Sequence, residues 1–129
     1  MLDTDFVIDL MRGHAGAIAL LERLLESPDP VGISAITVMQ LYHGVARVEL
    51  PERELQRIET ALKGVAVYDL TRPIAVRAGR LDGELVARRE ALDPADVIIG
   101  ATGLHRAEAV VTRNKKHYGR IPGLKVLPY

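Results

Sequence analysis

Short runs of β-branched and aliphatic residues alternate along this chain with longer stretches whose apolar residues recur every three or four positions. That alternation predicts an α/β fold around a parallel sheet, because parallel neighbours can be joined only by a crossover, which is usually a helix. The candidate strands are residues 31–34, 65–68, 109–112 and 125–127, preceded by a stub at residues 1–2. Their nearly continuous apolar runs predict strands buried on both faces. Between them, Ile18, Leu21, Leu24 and Leu25 form one helical stripe, and Val38, Leu41, Tyr42 and Val45 another. Leu55, Ile58 and Leu62 follow Pro51, which suits a first helical turn. Ile74, Ala78, Leu81 and Leu85 make the longest stripe, and Asp93-Pro94 reads as an N-cap and first helical residue opening a helix through about Arg106.

Composition narrows the function. A length of 129 residues predicts a single domain spanning 1–129. With 48% hydrophobic and 26% charged residues the chain is not of the disordered class. The absence of cysteine excludes disulfide frameworks and thiolate metal sites. Seventeen basic residues balance seventeen acidic ones, so no global positive field draws nucleic acid and any such contact needs a local patch. Four tyrosines, one phenylalanine and no tryptophan argue against a stacking platform for single-stranded bases. The opening residues are acidic and no apolar run approaches the roughly 20 residues that span a bilayer, so a cytoplasmic protein without membrane attachment is expected.

Parallel α/β sheets place their chemistry beyond the carboxyl ends of the strands. Asp3, Asp5, Ser34, Asp69 and the run Thr112-Arg113-Asn114 fall at such ends. Asp3 and Asp93 are each also plausible helix caps, since an aspartate oxygen accepts the free N–H groups of a first turn. Asp93 and Asp96 stand three apart and so share one face at a helix start. Adjacent carboxylates repel unless a cation neutralises them, and a hard divalent ion such as Mg²⁺ suits one or two carboxylates plus water. Basic residues cluster just after the candidate strand at 109–112, at Arg113, Lys115 and Lys116, where a phosphodiester would approach. The four histidines lack metal-ligand spacing and are read as surface or partly buried side chains.

Five segments, in order, resemble the PIN-domain family and its VapC-type ribonuclease toxins. They are Leu2-Asp3-Thr4-Asp5 with Phe6 to Gly13, Ile33-Ser34 leading into Thr37 to Gly44, Asp93 to Thr102, Val111 to Asn114, and Ile121 to Leu124. The resemblance implies a three-layer α/β/α fold with a parallel sheet of about five strands in the order 3-2-1-4-5. It implies an acidic quartet holding Mg²⁺ or Mn²⁺, with Asp3 in the first place and Asp96 in the third as metal ligands. Asn114 falls where the family has Asp or Asn, Asp93 matches an additional acid, and Thr112 and Arg113 match a polar pair beside the site. Gln40 stands where the family has glutamate, and the first strand is shorter than usual. The implied function is a Mg²⁺-dependent endoribonuclease, the toxin of a toxin–antitoxin pair, with Asp3, Asp96, Asp93, Gln40 and Asn114 catalytic. Thr112, Arg113, Lys115 and Lys116 would contact RNA. The implied partners are RNA, a VapB-type antitoxin and a second copy of the chain. The alternative is a PIN module weakened by Gln40 that acts mainly through partner or RNA binding. A phospho-accepting receiver, with Asp69 as acceptor, is a third reading.

Overall fold

Side chains alternate between the faces of an extended chain, and this alternation divides the core of the protein in two. In the computed structural model, which describes residues 1–129, Met1 and Val110 join one buried cluster while Leu2 and Val111 join the other. The strands are β1 (Gly32–Ser34), β2 (Ala66–Tyr68), β3 (Val110–Val111) and β4 (Val126–Leu127). β1 pairs in parallel with β2, and β3 with β4. Leu2 lies between the pairs, bridged in parallel to Ile33 on one side and to Val111 on the other. The stub expected at residues 1–2 is thus one bridging residue and not a strand. The chain departs into a helix at Thr4, which leaves no length for a longer ladder.

Helices cover both faces. α1 (Thr4–Met11), α2 (Ala15–Leu25), α3 (Ala35–Val45) and α4 (Pro51–Ala61) bury Phe6, Val7, Ala17, Leu20, Leu41 and Ile58 against Leu2, Ile33 and Val111. α5 (Arg72–Ala87), α6 (Pro94–Arg106) and α7 (Lys115–Tyr118) bury Ile74, Leu81, Leu85, Ile99 and Tyr118 against Met1 and Val110. Three of the capped helix starts adjoin the sheet. Asp3 accepts from Thr4 N at 2.7 Å, Ser34 from Ile36 N at 3.4 Å, and Asn114 from His117 N at 3.4 Å. Ser34 ends β1, Asp3 directly follows the bridging residue, and Asn114 lies three positions after β3, so several helix N-termini face the carboxyl end of the sheet.

The α5 stripe lies buried as its spacing predicts, with Ile74, Ala78, Leu81 and Leu85 all in the core. Two other stripes need correction. Leu21 and Leu24 of α2 pack against the core as expected, but the helix turns Ala17 and Leu20 fully inward and leaves Ile18 and Leu25 exposed, because a helix this rich in aliphatic residues offers more than one apolar face. Tyr42 of α3 lies on the surface, where its hydroxyl donates to Glu59 at 2.9 Å. The residue 65–68 run is also not buried on both faces: β2 is an edge strand, and Val67 is 49% exposed.

One close approach fixes how β1 and β2 meet. A Cβ on Gly32 would lie 2.3 Å from Cε2 and 2.4 Å from Cζ of the Tyr68 ring, whose face is covered by the Arg106 guanidinium 3.5 Å from its centroid. The ring cannot yield without losing that stacking. Gly32→Ala should therefore destabilise the fold by about 1–3 kcal/mol, measured as a lowered urea midpoint with an unchanged slope.

Candidate functional site

At the carboxyl end of the sheet lies a cleft of about 490 Å³, lined by Asp3, Thr4, Asp5 and Ile8, by Met39, Gln40 and His43 of α3, by Asp96 of α6, and by Asn114 and His117. Four of the five residues read from the sequence as catalytic line this one space. The fifth, Asp93, does not; it is exposed and caps α6, accepting from Ala95 N at 2.9 Å.

Asp3 is the most constrained group in the cleft. It is 3% exposed and accepts three hydrogen bonds: from Thr4 N (2.7 Å) and the Tyr118 hydroxyl (2.8 Å) at Oδ1, and from the Thr112 hydroxyl (2.7 Å) at Oδ2. Burial nevertheless lifts its carboxyl above the usual aspartate range, with Asp5 and Asp96 pushing the same way against the Thr112 and Tyr118 donors. Asp96 is held more loosely. Its Oδ1 lies 3.3 Å from the Tyr118 hydroxyl and its Oδ2 lies 3.4 Å from Nδ1 of His117. Its carboxyl is raised as well, by burial first, which outweighs His117 and Tyr118, and with Asp93 adding to the rise.

Gln40 sits across the cleft, its Oε1 accepting from the Thr4 hydroxyl at 2.6 Å; the same hydroxyl lies 3.0 Å from Thr37 Oγ1. Asn114 caps α7 and places Nδ2 2.7 Å from Nδ1 of His117. Thr112 is fully buried beneath the cleft, and it also accepts from Asn114 N at 2.9 Å. Arg113 points elsewhere: its Nη1 bonds both oxygens of the buried Asp9, at 3.2 and 2.9 Å. Asp9 also accepts from the Tyr129 hydroxyl at 2.8 Å, and the Tyr129 ring stands edge-on to Phe6. Half of the Arg113 side chain remains exposed, and Lys115 and Lys116 are exposed on α7.

Among the residues the sequence did not mark for this site are Tyr118, His117, His43 and Thr4. Tyr118 carried a usable signal, since it stands four positions after Asn114 and thus returns to the same helical face. His117, read only as scattered, lines the cleft through the same short helix. Asp69, the acceptor in the receiver reading, is exposed and lies outside the cleft.

The donor set fits a hard divalent cation. Two carboxylates, a third at Asp5, and the amides of Gln40 and Asn114 face a space whose lining contains no lysine or arginine. Burial lifts both the Asp3 and Asp96 carboxyls by more than their hydrogen-bond donors lower them. No three acidic or histidine side chains converge as a closed cage, so the fit is to an ion that keeps several waters.

A carboxyl whose folded pKa is raised costs stability once it ionises. That cost is absent below the ordinary value near 3.8 and grows as pH rises through the raised one. Asp96→Asn should therefore raise the thermal midpoint of the metal-free protein by a few degrees at pH 7, and the gain should vanish towards pH 4. Thermal unfolding in EDTA across that range measures it.

The sequence profile of the PIN domain family matches residues 1–123. Over 126 residues the chain is 30% identical to the tRNA(fMet)-specific endonuclease VapC of Salmonella typhimurium, spanning 98% of this chain and 94% of that protein. Among solved structures, DNA-bound VapBC from Salmonella typhimurium shares 29% identity with a TM-score of 0.89, over 99% of this chain and 96% of that one. VapBC2 from Rickettsia felis, bound to a DNA fragment from its promoter, reaches a TM-score of 0.93 at 23% identity, over 100% and 97%, a likeness of fold. With a family profile covering nearly its whole length and the strand ends of its sheet converging on paired aspartates, this chain belongs to the PIN domain family.

Proposed function

We propose that this protein is a metal-dependent endoribonuclease, the toxin of a toxin–antitoxin pair, working as one domain over residues 1–129. The observation that carries the reading is the meeting of Asp3 and Asp96, ninety-three positions apart, on the buried Tyr118 hydroxyl while both line one cleft. Asp3 and Asp96 would hold Mg²⁺, or Mn²⁺ in its place. When bound, such an ion lowers the pKa of a coordinated water and offsets charge on a phosphodiester.

The remaining roles follow from the chain's own side chains. Gln40 and Asn114 present amides to the cleft and would orient water. Asp93 anchors the first turn of α6 and so keeps Asp96 facing inward. Thr112 fixes Asp3 from below. Lys115 and Lys116 would meet the RNA backbone, joined by the exposed half of Arg113. A VapB-type antitoxin is the proposed partner, supported by the VapBC complex at 29% identity and by exposed Ile18, Leu25, Met39, Val48 and Leu50 on and beside α2–α4, which suit an amphipathic segment. A homodimer in the cytoplasm completes the reading; no helix is long and apolar enough to cross a membrane.

A second reading rests on Gln40. Its amide brings no charge to the cleft and its oxygen is occupied by Thr4, which favours a module whose catalysis is weak and which acts mainly by binding. Two measurements separate the readings. With Mg²⁺ present, the wild-type protein should cleave RNA at catalytic ratios, and Asp96→Asn should lose on the order of a hundredfold or more in rate; equal rates would remove Asp96 from the chemistry. Gln40→Glu should tighten Mg²⁺ binding on the order of tenfold in calorimetry, because it adds a full charge beside the pair. No gain would place Gln40 outside the ion's reach.

A further inference from the structure

We propose that Tyr118 is the positioning residue of the carboxylate pair, its hydroxyl holding Asp96 against Asp3 so that a cation meets both at once. The proposal rests on the reading of the cleft as a cation site.

Tyr118 ends the four-residue α7. Its ring is fully buried in the cluster formed by α5 and α6, among residues such as Ile74, Leu85 and Ile99. A buried phenol needs a partner for its hydroxyl, and this one reaches out of the apolar cluster to two carboxylates: Asp3 Oδ1 at 2.8 Å and Asp96 Oδ1 at 3.3 Å. One proton serves both. Two carboxylates drawn this close repel in a partly dry cleft, and a shared hydroxyl offsets part of that repulsion while setting their separation.

The two partners depend on it unequally. Asp3 keeps its place without Tyr118, since Thr4 N and the Thr112 hydroxyl each bond it at 2.7 Å. Asp96 has no such support. Its other contact is His117 Nδ1 at 3.4 Å, on a side chain 43% exposed. That nitrogen is shared, since it also lies 2.7 Å from Asn114 Nδ2. Asp96 is therefore placed by the backbone of α6, by a long shared contact to His117 and by Tyr118, and of these side chains only Tyr118 reaches Asp3 as well.

Phenylalanine keeps the ring and removes the hydroxyl, so Tyr118→Phe isolates the claim. The probe is Mn²⁺ alone, with binding to the intact protein followed by loss of the free-ion EPR signal. The thermal midpoint in EDTA reports folding. Tyr118→Phe should weaken Mn²⁺ binding about tenfold with that midpoint within a few degrees of wild type. In the Asp96→Asn background the same change should cost almost nothing further, because the hydroxyl acts through Asp96. Equal affinity of wild type and Tyr118→Phe, or losses that simply add in the double variant, would overturn the proposal and leave the cation site standing. A collapse of the midpoint in EDTA would make Tyr118 a packing residue and likewise end it. Failure of the wild-type protein to bind Mn²⁺ would overturn both this and the nuclease reading.

Discussion

Three backbone hydrogen bonds around Leu2 hold the two halves of this molecule together. Leu2 N donates to Gly32 O at 2.7 Å, while Val111 N donates to Met1 O at 2.8 Å and Asp3 N to Val111 O at 3.1 Å. The sheet therefore continues from one strand pair to the other through a single residue, and both core clusters close on it, Met1 facing one and Leu2 the other. The next residue in the chain is Asp3. Its carboxylate is placed by the same stitch that joins the sheet, so the site cannot shift without disturbing the core.

The cleft stands at a cost to the fold that makes it. Asp3 and Asp96 both have carboxyls raised by burial, and no lysine or arginine lines the space to relieve them. The cationic groups that flank Asn114 are spent on structure or solvent: Arg113 clamps buried Asp9, and the lysines of α7 are exposed. A protein of net formal charge zero thus gathers three carboxylates in one place with no lysine or arginine among them, which is the electrostatic form expected of a site that takes a cation or a basic partner side chain.

Much of this was legible from the residues. The α5 stripe, the Pro51 and Asp93-Pro94 helix starts, and the positions of the four strand pieces follow from periodicity and capping chemistry that act within a few residues. The inward face of α2 was not legible, because Ile18, Leu20, Leu21, Leu24 and Leu25 offer several apolar faces and only the neighbouring helices choose among them. Nor was the edge position of β2, since an aliphatic run looks the same in the centre of a sheet and at its border. Gln40 lies off the apolar stripe of α3, and only packing turns that side of the helix to the cleft.

The sequence by itself determined the alternation of strands and helices, the caps that start those helices, and which end of a parallel sheet would carry the acidic and polar residues. These are local consequences of side-chain period and hydrogen-bonding capacity. Only the tertiary structure decided that a tyrosine from the last short helix would reach both aspartates, that Arg113 would turn to Asp9, and that Thr4 would occupy the oxygen of Gln40. Each of those joins residues that are far apart along the chain or on different elements, and such contacts depend on how layers pack, which no spacing along one segment encodes.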